Sequence, residues 1–221
     1  MDKHKGGTSK VMPRVSKLVK PKEFRGYAVN DKYTYDKDQL NTIVEALEYY
    51  CELNQTDPLS NYQVFDITIN VEDDTSLSAD MDDIFFDASD LRFNPSTIKD
   101  NVLTPDKYFF RWTREYKTEY GAGLHYHFMV IANNISRNKV MELQEQIEAL
   151  DGVRSTWVAP RENLKTPFHH LRKTEDGLDD AVLRHCYRAK LDQKLEGDRR
   201  SFDGSRKLKP LLPVSPRRLF S

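Results

Sequence analysis

Two histidines, His125 and His127, stand one residue apart in the stretch "GLHYHFMVIAN" at residues 123–133. Because alternate residues of a β-strand share one face, both imidazoles would point to the same side of a sheet. The aromatic and β-branched residues of this stretch, together with Gly121 and Gly123, favour a strand that follows a tight turn. The pair could bind a metal ion, or it could be a packed and hydrogen-bonded pair without chemistry.

Glu115 is the candidate for a third metal ligand. If "YFFRWTREY" forms a hairpin with "LHYHFMVI", Glu115 lies on the neighbouring strand, opposite the two histidines. Glu119, in the turn, is the alternative ligand, and Glu115 could instead be a surface residue paired with Arg111 or Arg114. Two imidazoles and a carboxylate suit Mg²⁺ or Mn²⁺ acting on phosphate; Mn²⁺ matches imidazole better, and Zn²⁺ or Ni²⁺ could also bind.

Tyr187 is a candidate nucleophile on a predicted helix, "LDDAVLRHCYRAKLDQK". The spacing of Leu183, Tyr187, Lys190 and Lys194 would put these four side chains on one stripe of that helix. A tyrosine attacks poorly at neutral pH unless nearby positive charge stabilises its oxygen, and Lys190, one turn away, could supply that charge. The Tyr-x-x-Lys spacing alone is weak, because tyrosines on amphipathic helices commonly serve only in packing.

The order of three motifs resembles that of the HUH endonucleases, which initiate rolling-circle replication. "VFDITIN" resembles their first, structural motif, "GLHYHFMVI" the second and "YRAK" the third. The closer resemblance is to the single-tyrosine replication initiators of filamentous phages (inoviruses) and prophages, and it includes "YRAKLDQKLEGDRRSFDGSR". It covers residues 62–206. No second tyrosine stands near Tyr187 on its helix, unlike the two-tyrosine initiators, and bulky Tyr126 separates the histidines.

This resemblance implies a ferredoxin-like HUH domain that nicks single-stranded DNA at a replication origin and rejoins strands. It implies that His125, His127 and Glu115 hold the metal, that Tyr187 forms a 5′-phosphotyrosine link, and that Lys190 stabilises the reacting oxygens. The phosphate-contacting residues it implies are basic: Lys194, Arg199, Arg200 and Arg206. The implied partners are single-stranded DNA at the replication origin, which could be recognised as a hairpin or a duplex, and a host helicase and polymerase.

The surrounding pattern predicts an α+β domain with a largely antiparallel sheet. A helix is predicted over residues 37–53, a half-buried strand in "NYQVFDITINVE", a helix capped by Ser136 and a short strand around "STWVAP". We place His169 and His170 in a loop and expect His185 to face away from Tyr187. Core packing is the favoured role for Trp112 and Trp157, and base stacking is the alternative.

Charge is segregated along the chain, although the formal net charge is only −1. Residues 1–30 are predicted to be a basic, poorly ordered arm, residues 31–206 the catalytic domain, and residues 207–221 a basic tail. Residues 72–106 contain ten acidic and two basic side chains, and we expect an acidic insertion with short helical turns anchored by Ile84, Phe85 and Phe86. Basic ends suggest a polyanionic partner or solvated tails.

No apolar run is long enough to span a bilayer and the first residues lack a hydrophobic signal core, which predicts a cytoplasmic protein. Cys51 and Cys186 are expected to be reduced and buried.

Other classes of protein contain parts of the same motif pattern. A relaxase or a single-strand transposase would use the same chemistry, but the best-known relaxases carry the tyrosine before the histidines. A catalytically silent DNA-binding regulator would keep the fold and need no metal. A cupin-type metalloenzyme would require a glutamate soon after the second histidine, and "HYHFMVIANN" has none.

Overall fold

The fold is built on one antiparallel sheet. The computed structural model describes residues 18–72, 93–117, 123–158, 167–191, 202–205 and 207–215. Its strands are β1 (Leu18–Val19), β2 (Glu23–Phe24), β3 (Tyr27–Ala28), β4 (Tyr35–Asp36), β5 (Tyr62–Val71), β6 (Tyr108–Lys117), β7 (Gly123–Asn133), β8 (Val153–Val158), β9 (Phe168–His170) and β10 (Phe202–Gly204). In the described part of the chain, six strands form the central sheet in the order β10-β6-β7-β5-β8, and β9 also pairs with β5.

Four helices flank this sheet in the described residues: α1 (Lys37–Thr56), α2 (Pro95–Asn101), α3 (Arg137–Glu148) and α4 (Asp180–Cys186). Every pairing within the central sheet is antiparallel. The predicted α+β class with a largely antiparallel sheet is therefore confirmed. The α1 helix begins where predicted and extends three residues further, and Ser136 caps α3 by accepting a hydrogen bond from the Lys139 amide, as predicted.

The β5 strand is buried on both faces from Tyr62 to Ile67, and only Thr68 and Asn70 are half-buried, so the prediction of a half-buried strand is wrong for most of its length. On the first face, Tyr62 and Val64 pack with α1 and α4, and on the second face Phe65 and Ile67 pack with α2 and α3. The alternation of polar and apolar residues suggests one exposed face, but other elements of the fold cover polar residues of β5 as well. Asp66, for example, is only 5% exposed.

The first-face core contains both cysteines. Cys51 and Cys186 are buried, and neither forms a disulfide, as the sequence predicts. Burial raises the pKa of the Cys186 thiol to about 12, so this thiol stays protonated at neutral pH.

Residues 18–30 are more regular than the predicted arm. The β1 strand pairs with β4, β2 and β3 form a hairpin, and Val29 is buried. At the hairpin turn, Arg25 and Gly26 have φ angles of 54° and 86°, a left-handed conformation that glycine adopts without strain. Composition conceals this order because a few apolar residues, among them Phe24, pack against the first-face core within a lysine-rich sequence.

The described part of the acidic insertion, residues 93–106, contains α2. Asn94 caps this helix through the Ser96 amide, and Ile98 is fully buried in the second-face core. The expected anchors Ile84, Phe85 and Phe86 lie outside the described residues.

Residues 207–215 of the predicted basic tail pack against the end of the sheet. The Leu211 amide donates to the Tyr62 hydroxyl at 3.1 Å, and the Asn133 side chain donates to the Leu211 carbonyl at 3.1 Å. Leu211 is buried, so this segment contributes to the core as well as to the charge of the chain.

The predicted helix around Tyr187 is shorter and less regular than expected. A π-helical turn, Glu175–Asp179, precedes α4, and a 3₁₀ turn, Tyr187–Ala189, follows it. Lys190 is extended, forms a β-bridge with Tyr35 and is 1% exposed, whereas Leu183 is 45% exposed. The predicted single stripe is therefore wrong, because pairing with Tyr35 ends the helix at Lys190, and Lys194 lies outside the described residues.

Candidate metal centre and nucleophile

The β6–β7 hairpin brings the predicted metal ligands together. Glu115 lies directly opposite His125, and Thr113 lies opposite His127. Because residues opposite each other in an antiparallel pair point to the same face, Glu115 and both histidines share the first face of the sheet. The predicted hairpin register is confirmed, and Glu119 lies outside the described residues.

The geometry of this group fits a metal ion. Glu115 Oε2 lies 3.7 Å from His125 Nε2 and 3.4 Å from His127 Nε2. These two distances are close to the separation of about 3.0–3.5 Å between ligands that lie about 2.1 Å from a common ion, and all three potential ligand atoms lie within 4.8 Å of one another. Glu115, His125 and His127 can therefore hold a metal ion. The alternative in which Glu115 is a surface residue is wrong, because its side chain is 0% exposed.

The surroundings of His127 favour a neutral and oriented ring, which is the form that binds a metal ion. Burial, with a further contribution from the positive charge of Arg188, lowers the pKa of His127 to about 3, so the ring is neutral at physiological pH. Its Nδ1 lies 3.0 Å from Thr68 Oγ1 on β5. A ring protonated at Nδ1 donates to Thr68 and presents the Nε2 lone pair towards Glu115, as in many histidine metal ligands.

Lys190 lies close both to the candidate nucleophile, Tyr187, and to the metal group, which consists of Glu115, His125 and His127. Its ammonium nitrogen contacts the Tyr187 hydroxyl, and the same nitrogen lies 3.8 Å from Glu115 Oε2. It also lies 3.6 Å from the centroid of the Tyr187 ring. Tyr187, Lys190 and the metal group therefore form one continuous site, although the helical stripe expected for Tyr187 and Lys190 is absent.

Residues 33–36 also contribute to this site, although no motif in the sequence indicates them. The Leu191 amide donates to the Thr34 carbonyl at 2.9 Å, next to the bridge between Tyr35 and Lys190. Tyr33 packs edge-to-face on Tyr187, with ring centroids 5.1 Å apart. These contacts join chain positions about 150 residues apart, which no local pattern could indicate.

A second polar cluster, the Asp66 cluster, anchors the turn that carries Tyr187. Its members are Asp66, Arg184, His185 and Arg188. Asp66 carboxylate oxygens lie 2.7 Å from Arg188 Nη2, 3.0 Å from Arg184 Nε and 3.1 Å from His185 Nδ1. Burial alone would raise the pKa of Asp66, but Arg188, His185 and Arg184 together hold it well below 3.8.

His185 and Arg188 flank Tyr187 in the sequence, so this cluster ties both sides of the tyrosine to β5. The available sequence signal was an aspartate inside an apolar strand, "VFDITIN". His185 faces β5, in accordance with the expectation that it points away from Tyr187.

His169 and His170 form part of β9, so their predicted loop is wrong. His169 lies 3.3 Å from the Asp180 carboxylate at the start of α4, and His170 Nδ1 lies 3.0 Å from Asn61 Oδ1. Pairing with β5 defines this strand, which is too short to show periodicity.

The predicted DNA-contacting residues Lys194, Arg199, Arg200 and Arg206 lie outside the described residues.

The two tryptophans differ in exposure: Trp112 is 9% exposed within the second-face core, and Trp157 is 54% exposed. In the described ranges, no helix combines the length and apolar content needed to cross a membrane.

Comparison with protein-family models, with curated proteins and with solved structures finds no match to this chain.

Proposed function

We propose that the protein is a metal-dependent DNA nicking and joining endonuclease that initiates rolling-circle replication in the cytoplasm of a bacterial host. The observation that carries this proposal is the position of Lys190, whose ammonium contacts the Tyr187 hydroxyl and lies 3.8 Å from the Glu115 carboxylate. A tyrosine, a cation and a His-His-Glu group that can hold a metal ion, close together on one face of the sheet, suit phosphoryl transfer to a protein nucleophile.

Mg²⁺ or Mn²⁺ is the proposed ion, held by Glu115, His125 and His127. The neutral His127 ring and the mixed nitrogen and oxygen donor set match Mn²⁺ better than Mg²⁺. When bound by these residues, such an ion would supply positive charge next to the scissile phosphate.

Tyr187 is the proposed nucleophile. Its hydroxyl oxygen attacks phosphorus, a new O–P bond forms, and the bond from phosphorus to the 3′-oxygen of the preceding nucleotide breaks. The phenol loses one proton and the departing 3′-oxygen gains one, so the step is balanced without a nucleotide cofactor. The products are a 5′-phosphotyrosine link and a free 3′-hydroxyl, and attack by another 3′-hydroxyl reverses the step and joins strands.

Lys190 is proposed to stabilise the negative charge that develops on the phenol oxygen as the proton leaves. Its 1% exposure strengthens this interaction, because water screens a buried charge poorly. The Asp66 cluster is proposed to position Tyr187 by holding the residues on both sides of it.

The proposed substrate is an unpaired DNA strand at a replication origin, exposed in a hairpin or an opened duplex. Lys194, Arg199, Arg200 and Arg206 are proposed to contact its phosphates. The released 3′-hydroxyl would serve a host polymerase, with a host helicase separating the strands.

The test is the formation of a covalent adduct. The protein is incubated with Mn²⁺ and single-stranded oligonucleotides that span the origin of its own replicon, each labelled at the 5′ or the 3′ end. On a denaturing gel, an adduct is expected only with the 3′-labelled strand, and EDTA should abolish it. DNA that is bound but never cut with any divalent metal would instead support the silent-regulator function.

The adjacent tyrosines provide a matched pair of variants. Tyr187→Phe is expected to abolish the adduct, whereas Tyr33→Phe keeps the ring that packs on Tyr187 and should still form it. If Tyr33→Phe loses the adduct while Tyr187→Phe still forms it, the assignment of Tyr187 as nucleophile is refuted.

A further inference from the structure

Trp157 lies in the same row of the sheet as a metal ligand. In the strand registers, Trp157 of β8 is opposite Thr68 of β5, and Thr68 is opposite His127 of β7. Opposite residues point to the same face, so all three side chains lie on the first face. Adjacent strands are about 4.8 Å apart, which puts the backbone of Trp157 about 10 Å from that of His127.

The sheet face between Trp157 and the metal group is polar and accessible. Asn70 lies in the next row, opposite both Ser155 and His125, and its side chain donates to Ser155 Oγ at 2.9 Å. Thr68, Asn70 and Ser155 are each half-buried, whereas Val64, nearer the other end of β5, is completely covered. The first face is therefore open on the side of the metal group where Trp157 lies.

Core packing does not explain Trp157. Trp112 is 9% exposed and packs edge-to-face on Tyr126, with ring centroids 5.5 Å apart, within the second-face core. Trp157 is 54% exposed on the opposite face, while its neighbour Val158 packs against the second-face core. The strand is thus anchored by Val158, and the indole of Trp157 remains accessible beside the candidate catalytic site.

We propose that Trp157 is a stacking platform for an unpaired base of the DNA strand, close to the scissile phosphate. This inference rests on the proposed function and deepens it by assigning a position that binds one base of the unpaired strand. An indole offers a large flat surface on which any base can stack, but a base inside a duplex already has both faces covered. The polar Thr68, Asn70 and Ser155 line the path from this platform to the metal ligands.

The test measures DNA binding without cleavage. A fluorescently labelled thymidine oligonucleotide of about 12 nucleotides is titrated with protein in EDTA, and its dissociation constant is obtained from fluorescence anisotropy. Trp157→Ala and Trp157→Leu are expected to weaken binding about 10-fold, and Trp157→Phe about 3-fold or less, because only phenylalanine keeps an aromatic face. The same sequence in a blunt duplex should bind with equal affinity to wild type and to Trp157→Leu.

Leu59→Ala is the matched control, since Leu59 is a 63% exposed apolar residue in the turn between α1 and β5. It should bind the oligonucleotide like wild type. Because Trp157→Leu and Trp157→Phe both keep a large apolar side chain, their comparison remains informative if Trp157→Ala folds poorly. Equal affinity of the leucine and phenylalanine variants would overturn the stacking proposal.

The covalent-adduct experiment separates this inference from the proposed function. If the adduct forms but the Trp157 variants bind like wild type, the nuclease stands and the stacking platform fails. If the Trp157 variants lose affinity but no adduct forms with any metal, a base-binding platform remains on a protein that does not cut DNA. If wild type binds no single-stranded DNA, both proposals fail.

Discussion

The metal group and the Asp66 cluster lie on the same face of the sheet and contain similar residue types. Each has one buried carboxylate and at least one histidine. In the Asp66 cluster, two guanidinium groups approach the carboxylate to within 3.0 Å. In the metal group, the cation nearest to Glu115 among the described contacts is Lys190 at 3.8 Å, and the ring of His127 is neutral.

This difference in the charges around the two carboxylates indicates different roles. The Asp66 cluster stabilises the fold, and the metal group can bind a ligand. Two close arginine side chains compensate the negative charge of Asp66 within the protein, so the cluster stabilises the turn around Tyr187. The metal group combines one carboxylate with imidazoles whose ring nitrogens face it, an arrangement that a divalent cation stabilises. Matched carboxylate-to-amide substitutions in the two clusters should therefore have different effects.

The largest expected effect is on stability in Asp66→Asn. Removing this charge leaves Arg188 buried without its ion-pair partner, which should lower the free energy of unfolding by about 3–5 kcal/mol. Urea denaturation of the metal-free protein measures this change. A loss below about 1 kcal/mol would mean that the Asp66 cluster is not an anchor.

The next effect is the loss of metal-dependent stabilisation in Glu115→Gln. Mn²⁺ at about 100 times its dissociation constant should stabilise wild type by about 2.7 kcal/mol, and Asp66→Asn should gain as much. Glu115→Gln should gain nothing at the same concentration, because an amide replaces the anionic ligand. Thermal unfolding with and without Mn²⁺ distinguishes these variants, and equal Mn²⁺ stabilisation of Glu115→Gln and wild type would refute the metal assignment.

Thr68→Val tests the hydrogen bond that orients His127. Without the hydroxyl 3.0 Å from Nδ1, the affinity for Mn²⁺ should fall about 10- to 100-fold. Thr68→Ser keeps the hydroxyl and should bind Mn²⁺ within about 3-fold of wild type by isothermal titration calorimetry. If valine and serine variants bind equally well, Thr68 does not orient the ring.

The smallest effect is a difference in acid sensitivity. The pKa of Asp66 is well below 3.8 in the folded protein, so its contribution to stability is present above about pH 4 and is lost as the pH falls through that lowered value. Below pH 4, the free energy of unfolding of wild type should fall by up to about 1.4 kcal/mol per pH unit more than that of Asp66→Asn. Parallel pH profiles of the two proteins would contradict the lowered pKa.

Local patterns predict the parts of the site that come from adjacent strands. Alternation places His125 and His127 on one face, and the antiparallel pairing of β6 with β7 brings Glu115 opposite His125 on that face. The helical stripe proposed for Tyr187 and Lys190 fails because it assumes that the helix continues, whereas Lys190 pairs with Tyr35 instead. The two residues still meet, through an extended backbone rather than a helical turn.

Local patterns in the sequence are sufficient to predict the α+β class, the α1 and α3 helices, the β6–β7 hairpin and the three candidate metal ligands. These features follow from periodicity, capping and turns, which act over a few residues. Only the folded chain shows that residues 33–36 pair with Lys190, that Asp66 binds residues on both sides of Tyr187, and that Trp157 lies two strands from His127 on the same face. Those contacts join distant parts of the chain, and packing of the whole sheet selects them.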